Sequence, residues 1–179
     1  MDRKQFILTS GAGLGMTLFP GLVQCQSSTL KDENKTISKI IKDAEGDVLN
    51  VIGDIQTHKL IGSDTGNQIV EWVDNVEPGV GIPPHVHSHE DEIFRVIEGT
   101  VEIMVDGQVT VLEPGDIAFA PKGIAHSWKV VGIQKVKMIT SAFPAGIEVM
   151  FQKLAQLPEG PPDFQKVSQI CAEHGVHFV

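Results

Sequence analysis

The sequence predicts an all-β domain, either a sandwich or a barrel of short strands. Turn signals rich in Gly, Pro, Asn and Asp recur about every eight to twelve residues from Gly46 onward. The segments between them are rich in β-branched residues, which favour strands. This spacing is typical of sandwiches and barrels, whereas a βαβ fold would place helical patterns between the strands.

Seven segments are the strongest strand candidates. They are residues 48–55, 68–73, 93–97, 101–105, 109–112, 117–120 and 136–141. Asp106-Gly107 separates two of these segments, and a glycine at that place supplies the positive φ of a tight hairpin turn. The unit as a whole shows no internal repeat. The sequence therefore predicts one barrel, over residues 46–145.

Residues 146–179 change from a strand pattern to a helical one. Apolar residues recur at helical spacing over 147–157 and predict a helix there. A proline-rich run follows, and Asp163 after it is suited to cap a second helix. The buried stripe of that helix would contain Phe164, Val167, Ile170 and Cys171. We therefore expect a C-terminal helical extension that packs on the barrel or on a partner subunit.

Residues 1–25 predict an export signal or a lipoprotein leader. A short basic start precedes an apolar stretch, 6–23, that glycines and a proline interrupt, and this pattern fits a signal better than a membrane-spanning helix. The segment Leu22-Val23-Gln24-Cys25 resembles a lipobox, in which Cys25 would be lipidated. Residues 26–45 are polar and predict a tether. The expected location is the periplasm or, through membrane anchoring by a lipid, the cell envelope.

Composition excludes several classes of function. The net charge is −9 and no cluster of Lys and Arg follows the leader. Nucleic acid is therefore excluded as a partner, because binding of phosphates requires a basic surface. Two cysteines in 179 residues do not make a disulfide framework. The chain contains no tyrosine, which excludes tyrosyl chemistry.

Three histidines and one glutamate form a candidate metal site. His85 and His87 are two residues apart, so on an extended strand both side chains point to the same face, which can be the inside of a barrel. Glu92 can return to the same point across a short bend, and His126 follows after the hairpin. This mixed nitrogen and oxygen set suits a borderline divalent metal. Four ligands on a six-coordinate ion leave positions open, as a catalytic metal requires.

The same residues resemble the two sequence motifs of the cupin superfamily. The first motif is matched at its fixed spacing by Gly79, His85, His87, Glu92 and Gly99. The second is matched by Gly115, Pro121, Gly123 and His126. Val130 stands in place of the asparagine that closes the second motif. The resemblance implies a single jelly-roll β-barrel, one bound divalent metal and a homodimer.

Shorter stretches are similar to the small quercetin-dioxygenase-like cupins. They are residues 83–87, 91–94, 143–148 and 173–178. This resemblance implies a metal ion such as Fe, Mn, Ni or Co that binds substrate and dioxygen. The ligand types are also compatible with Zn. It also implies two roles for Glu92, as a metal ligand and as the catalytic base that deprotonates the substrate. An apolar pocket beside the metal would be lined by Phe94, Phe119 and Trp128.

Residues around the first motif allow more than one interpretation. His89 extends the pattern to three alternating histidines, and it is interpreted as a surface residue, with a role in proton relay as the alternative. Glu90 and Asp91 are interpreted as a solvated acidic loop rather than as ligands. If they lie near the site, they would increase its attraction for cations.

Three functions are compatible with an open metal site. The first is an oxygenase that acts on a small aromatic or enolic substrate, with Glu92 assisting proton removal. The second is an isomerase or decarboxylase that uses the metal only as a Lewis acid. The third is a module that binds a small ligand without changing it. The complete set of four ligands favours an enzyme.

Overall fold

The structure of the protein is a computed structural model, and it describes residues 36, 38–158 and 160–179. The export signal predicted over 1–25, together with Cys25, lies outside the described residues, as does most of the tether predicted over 26–45. Both therefore stay predictions. Within the described part of the chain, no helix has the length and apolar character needed to cross a membrane.

Eleven strands and three helices make up the described residues. The strands are β1 (Asp47–Val51), β2 (Asp54–Leu60), β3 (Val70–Val76), β4 (Gly81–His87), β5 (Asp91–Glu98), β6 (Val101–Val105), β7 (Gln108–Leu112), β8 (Ile117–Ala120), β9 (His126–Val130), β10 (Val136–Phe143) and β11 (Val176–Phe178). The helices are α1 (Gly62–Thr65), α2 (Glu148–Leu154) and α3 (Phe164–Glu173).

The strands form two antiparallel sheets that pack face to face. One sheet has the order β1-β2-β3-β10-β5-β8, and the other has the order β11-β4-β9-β6-β7. The chain passes repeatedly from one sheet to the other, as in a jelly roll. The predicted all-β jelly-roll fold is thus confirmed. Hydrogen bonds among the described residues do not join the sheets into a closed ring, so the barrel has the form of a sandwich.

Strand β10 shows why the two sheets pack together. Its residues alternate strictly between buried and half-buried positions, as expected for a strand with one face on a core. The buried Val136 and Met138 belong to one apolar cluster with Phe94 of β5 and with Trp128 and Val130 of β9. This shared core fixes the first sheet against the second, and with it the relative positions of β4, β5 and β9.

The hairpin predicted at Asp106-Gly107 is confirmed. Val105 of β6 lies opposite Gln108 of β7, and both turn residues have positive φ, 52° and 75°, as a type I′ turn requires. The single strand predicted over 48–55 is instead two strands. The chain reverses at Ile52-Gly53, where φ is 55° and 93°, so that β1 and β2 form another hairpin.

Both helices predicted in the C-terminal region are present. The Asp163 side chain accepts hydrogen bonds from the backbone N–H groups of Gln165 and Lys166 and thereby caps α3. Val167 and Cys171 of α3 are buried in an apolar cluster with α2 and with residues of β3 and β10. Phe164, at the start of the helix, is 72% exposed, so the buried stripe begins one turn later than expected.

Strand β11 follows α3 and pairs with β4. Val176 lies opposite His87, and Phe178 lies opposite His85. Only helices were predicted from the sequence in this region, because three residues are too few to show a strand period. This strand forms the edge of the sheet that carries two of the candidate metal ligands.

Candidate metal centre

Three strands bring the predicted ligands together. His85 and His87 lie on the buried face of β4, and His126 is the first residue of β9, directly opposite His85. Glu92 is the second residue of β5, on the facing sheet. The site therefore depends on the packing of the two sheets, since each sheet supplies part of it.

The four side chains form a compact, buried cluster. One ligand atom of each of His85, His87, Glu92 and His126 lies within 4.8 Å of the corresponding atoms of the others, and all four residues are buried. The Nε2 atom of His126 is 3.0 Å from Oε2 of Glu92, and the Nε2 atom of His87 is 3.8 Å from the same oxygen. The predicted ligand set is thus brought to one point, with a spacing that one cation can bridge.

Backbone carbonyls orient two of the imidazoles. Nδ1 of His85 is 2.9 Å from the carbonyl oxygen of Pro83, and Nδ1 of His126 is 3.0 Å from that of Ile124. A carbonyl oxygen only accepts hydrogen bonds, so each Nδ1 carries the proton and donates it. Each Nε2 is then the ring atom that is left to face the cluster, and it can bind a metal once it carries no proton. The donor chemistry therefore fits a divalent cation.

A buried carboxylate, Glu90, stands behind the third imidazole. Oε2 of Glu90 is 3.6 Å from Nδ1 of His87, and neither atom has a hydrogen-bond partner among the described residues. The interpretation of Glu90 as part of a solvated loop is wrong, because the side chain is only 5% exposed. The turn after β4 directs it inward, and no sequence period indicated this. A carboxylate in this position can hold the His87 ring and increase its basicity toward a metal.

We predict that Glu90→Gln weakens metal binding without removing a ligand. The amide lacks the negative charge that the carboxylate places 3.6 Å from Nδ1 of His87, so the imidazole becomes a weaker ligand and the affinity for Zn²⁺ should fall about 10-fold or more. Competition with a chromophoric chelator measures this change. Glu98→Gln, at the exposed end of β5, is the matched control and should keep the wild-type affinity. Equal affinities of both variants would contradict the role assigned to Glu90.

Burial and mutual charge set the protonation of the cluster. Burial, with a further contribution from His126, lowers the pKa of His85 to about 4, so this imidazole is neutral at neutral pH. Burial alone would also lower the pKa of His87, but the Glu92 and Glu90 carboxylates outweigh it and raise the pKa. Burial alone would raise the pKa of Glu92, yet His87 and His126 lower it overall, so Glu92 is ionised.

The cluster opens onto a cavity of about 380 Å³ between the sheets. His85, His87 and Glu92 line it together with apolar side chains from both sheets and from α2 and α3. This volume lies within the range of small-molecule sites, and the combination of apolar walls with a few polar groups is typical of them. The geometry therefore provides a mostly apolar chamber beside the candidate ligands.

Two of the three predicted pocket residues line this cavity. Phe94 and Trp128 contribute to its wall. Phe119, in contrast, is 51% exposed and stacks against Phe143 with ring centroids 6.4 Å apart. The prediction that Phe119 lines the pocket is therefore wrong. Side chains alternate along β8, and its alanines occupy the inward positions, so Phe119 faces outward.

A polar patch on the cavity wall was not predicted from the sequence. Asp54, Gln56, Asp74 and Thr140 line the cavity and are buried. None belongs to a recognisable motif, and only the pairing of β2, β3 and β10 brings them together. His89, the third alternating histidine, is exposed and lies beside Gly175, outside the ligand cluster.

Comparisons of the sequence point to one superfamily. The family model of the cupin domain matches residues 72–141. A quercetin 2,3-dioxygenase of Bacillus subtilis is 29% identical over 123 residues. The aligned residues make up 68% of this chain and 36% of that enzyme, so the chain spans about a third of the length of this relative. An uncharacterized protein of Aquifex aeolicus is 31% identical over 97 residues, which are 54% of this chain and 73% of that protein.

Two solved structures share the fold. KdgF from Halomonas sp. has a TM-score of 0.55 at 19% identity, with 63% of this chain and 99% of that chain covered. An RmlC-like cupin from Shewanella frigidimarina has a TM-score of 0.54 at 18% identity, with 63% and 96% covered. Sequence identities this low are evidence for a shared fold only. The two facing sheets, the motif residues gathered at one point and the matches in sequence lead to one conclusion: the chain belongs to the cupin superfamily.

Proposed function

We propose that this protein is a metal-dependent oxygenase that acts on a small aromatic or enolic substrate. One observation carries the proposal: a buried set of three histidines and one glutamate opens onto an apolar cavity large enough for such a molecule. The chain is similar to part of the quercetin 2,3-dioxygenase of Bacillus subtilis, and this similarity supports an oxygenase reaction.

The residues of the cluster have separate tasks in this proposal. His85, His87, Glu92 and His126 hold one divalent first-row metal. When bound, that metal supplies a Lewis acid with open coordination positions. Glu92 is ionised and lines the cavity, so it can also accept the proton of an enolic hydroxyl.

The cavity walls bind the substrate body and exclude water. Phe94 and Trp128 present buried aromatic surfaces on opposite sheets, and Phe151 of α2 adds a third. Flat apolar molecules bury most surface against such walls. Water exclusion also strengthens the interactions of Glu92 with a bound substrate, because the local dielectric constant is low.

Oxygen uptake tests the proposal directly. The purified protein is loaded separately with Fe²⁺, Mn²⁺, Co²⁺ and Ni²⁺ and mixed with quercetin or 3-hydroxyflavone in an oxygen electrode. We expect at least one metal to support oxygen consumption, and His126→Ala to abolish it. Turnover under nitrogen would instead favour an isomerase or decarboxylase. Saturable binding without any product, identified by mass spectrometry, would favour a binding module.

We also propose that two copies pair in solution. Each sheet has an edge strand with exposed apolar side chains, β7 in one and β8 in the other: Val109, Val111, Ile117 and Phe119. Such surface favours association. Light scattering after gel filtration should give the mass of two chains, and the mass of one chain would contradict the pairing.

Export and lipid anchoring through Cys25 remain proposals that a mass spectrum of the natural protein would test.

A further inference from the structure

The cavity opens to solvent beside a group of apolar side chains. Ile52 in the turn between β1 and β2, Phe164 at the start of α3 and Phe178 of β11 are 40%, 72% and 38% exposed, and all three line the cavity. A side chain that lines a cavity and also reaches solvent lies where the cavity opens. We call these three residues the apolar rim. Single exposed apolar residues are ordinary, but a group of them at one cavity indicates a binding surface.

Phe178 places the rim beside the metal cluster. It lies directly opposite His85 in the pairing of β11 with β4, so the two side chains are on the same face of the sheet. Their ring centroids are 6.2 Å apart. A ligand whose head group binds at the cluster therefore needs only a short arm to reach the rim.

Phe164 extends the buried stripe of α3 to the surface. Phe164, Val167 and Cys171 are separated by three and four residues, so they lie on one face of the helix, and all of them line the cavity. The exposed fraction along this face falls from 72% at Phe164 to 5% at Val167 and 3% at Cys171. One apolar strip thus leads from solvent into the cavity.

The backbone conformation at Ile52 is unfavourable for an isoleucine. Its φ is 55°, in the left-handed region that Gly, Asn and Asp tolerate and β-branched residues rarely adopt. An asparagine before Gly53 would suit this tight turn better. Ile52 also contributes little to the core, because its side chain is exposed. A residue that is costly for the turn and adds little to the core is expected where a ligand contacts it.

The charged groups of the cavity lie only in its interior. Among the described residues, every exposed residue that lines the cavity is uncharged, whereas Asp54, Asp74 and Glu92 are all buried. A charged group of a ligand would therefore find no ion-pair partner at the opening. An alkyl or aryl group, in contrast, would be stabilised there, because it removes the apolar rim from water.

We propose that the apolar rim binds an apolar arm of a ligand whose oxygen-bearing head group binds at the metal cluster. The ligand is amphiphilic: its head lies inside the cavity, and an alkyl or aryl arm extends through the opening. Ile52 and Phe164 select the ligands that have such an arm. The inference rests on the proposed function only in naming this ligand as the substrate, which then combines an aromatic or enolic head with an apolar arm.

Alkyl hydroxamic acids of different length test the rim. The hydroxamate head binds Zn²⁺ through two oxygens, so only the length of the arm changes. Calorimetry on the full chain loaded with Zn²⁺ gives the affinities of butanohydroxamic and octanohydroxamic acid. We expect the wild-type protein to prefer the octano compound about 10-fold or more, since each methylene that is fully buried contributes about fourfold. Phe164→Ser should reduce this preference to about threefold or less.

Ile52→Asn tests the rim in a variant that should fold at least as well as the wild type. Asparagine tolerates a positive φ in a tight turn, so the midpoint of urea denaturation should not fall. The preference for the octano compound should nevertheless fall to about half or less, because apolar surface is lost from the rim. Ile133→Asn is the matched control: Ile133 is 95% exposed and does not line the cavity, so the wild-type preference should persist.

Three results would overturn the inference. The first is a wild-type protein that binds neither compound or does not prefer the longer arm. The second is a preference that persists unchanged in Phe164→Ser and Ile52→Asn. The third is a change of molar mass from two chains to one in either variant, measured by light scattering, because the rim would then be an interface between two copies of the chain.

The result does not depend on the oxygenase proposal. Binding of a hydroxamate requires no turnover, so the comparison reports on the rim even if no flavonol is consumed. Conversely, oxygen uptake with 3-hydroxyflavone would support the oxygenase even if the rim variants keep the wild-type preference for octanohydroxamic acid.

Discussion

Replacing His126 with alanine is expected to reduce the bound metal from about one ion per chain to background. His126 provides Nε2 at the centre of the cluster, 3.0 Å from Glu92, and its Nδ1 is already fixed by a carbonyl. Loss of a residue that only supports a ligand can lower the metal affinity about 100-fold. Loss of an oriented ligand should lower the metal affinity further. Mass spectrometry of metals after dialysis measures the metal content.

His89→Ala is the matched control for this experiment. His89 is two residues from His87 and extends the alternating histidine pattern, but it is exposed and outside the ligand cluster. The variant should therefore retain about one metal ion per chain. Metal retained in full by His126→Ala, or lost from His89→Ala, would show that the ion is bound elsewhere.

Of the substitutions proposed here, Phe151→Ala is expected to lower the stability of the fold most. Phe151 of α2 is 6% exposed and packs edge-on against Trp72 of β3, with ring centroids 5.0 Å apart. Without the ring, the protein loses the free energy gained by transferring it from water to the core, and a cavity remains beneath α2. The free energy of unfolding should fall by about 3–5 kcal/mol. Urea denaturation followed by tryptophan fluorescence measures this change.

Val149→Ala tests whether the effect comes from the buried face of α2. Val149 is on the same helix but 46% exposed, and its truncation should change the free energy of unfolding by no more than about 0.5 kcal/mol. A small effect of Phe151→Ala, similar to that of Val149→Ala, would mean that α2 does not pack on the sheet as described.

The parts of the structure that the sequence predicted are those with a local pattern. The alternation of His85 and His87 already placed both on one strand face, and Asp106-Gly107 already indicated the hairpin. Asp163 likewise marked the start of α3. Glu92 and His126 are thirty-four positions apart in the chain, and it was the resemblance to the cupin motifs that joined them in one site.

The features that the sequence did not reveal depend on contacts between distant residues. Thr140 donates to Asp74 across 66 positions of sequence, and no periodicity marks either residue as part of a cavity. Strand β11 is recognisable only by its pairing with β4. The outward direction of Phe119 required the register of β8 against β5. Residue types alone do not determine such placements, because strand pairing decides which side chains meet.

X-ray absorption spectroscopy of the protein loaded with Zn²⁺ tests the central claim most directly. We expect one ion per chain, with three imidazole nitrogens at about 2.0–2.1 Å and a carboxylate oxygen at a similar distance. The spectrum should also show the multiple-scattering signal of imidazole. His126→Ala should retain too little Zn²⁺ to give this spectrum. A spectrum with oxygen neighbours only, or one that is unchanged in His126→Ala, would contradict the claim that these three histidines and Glu92 hold the metal.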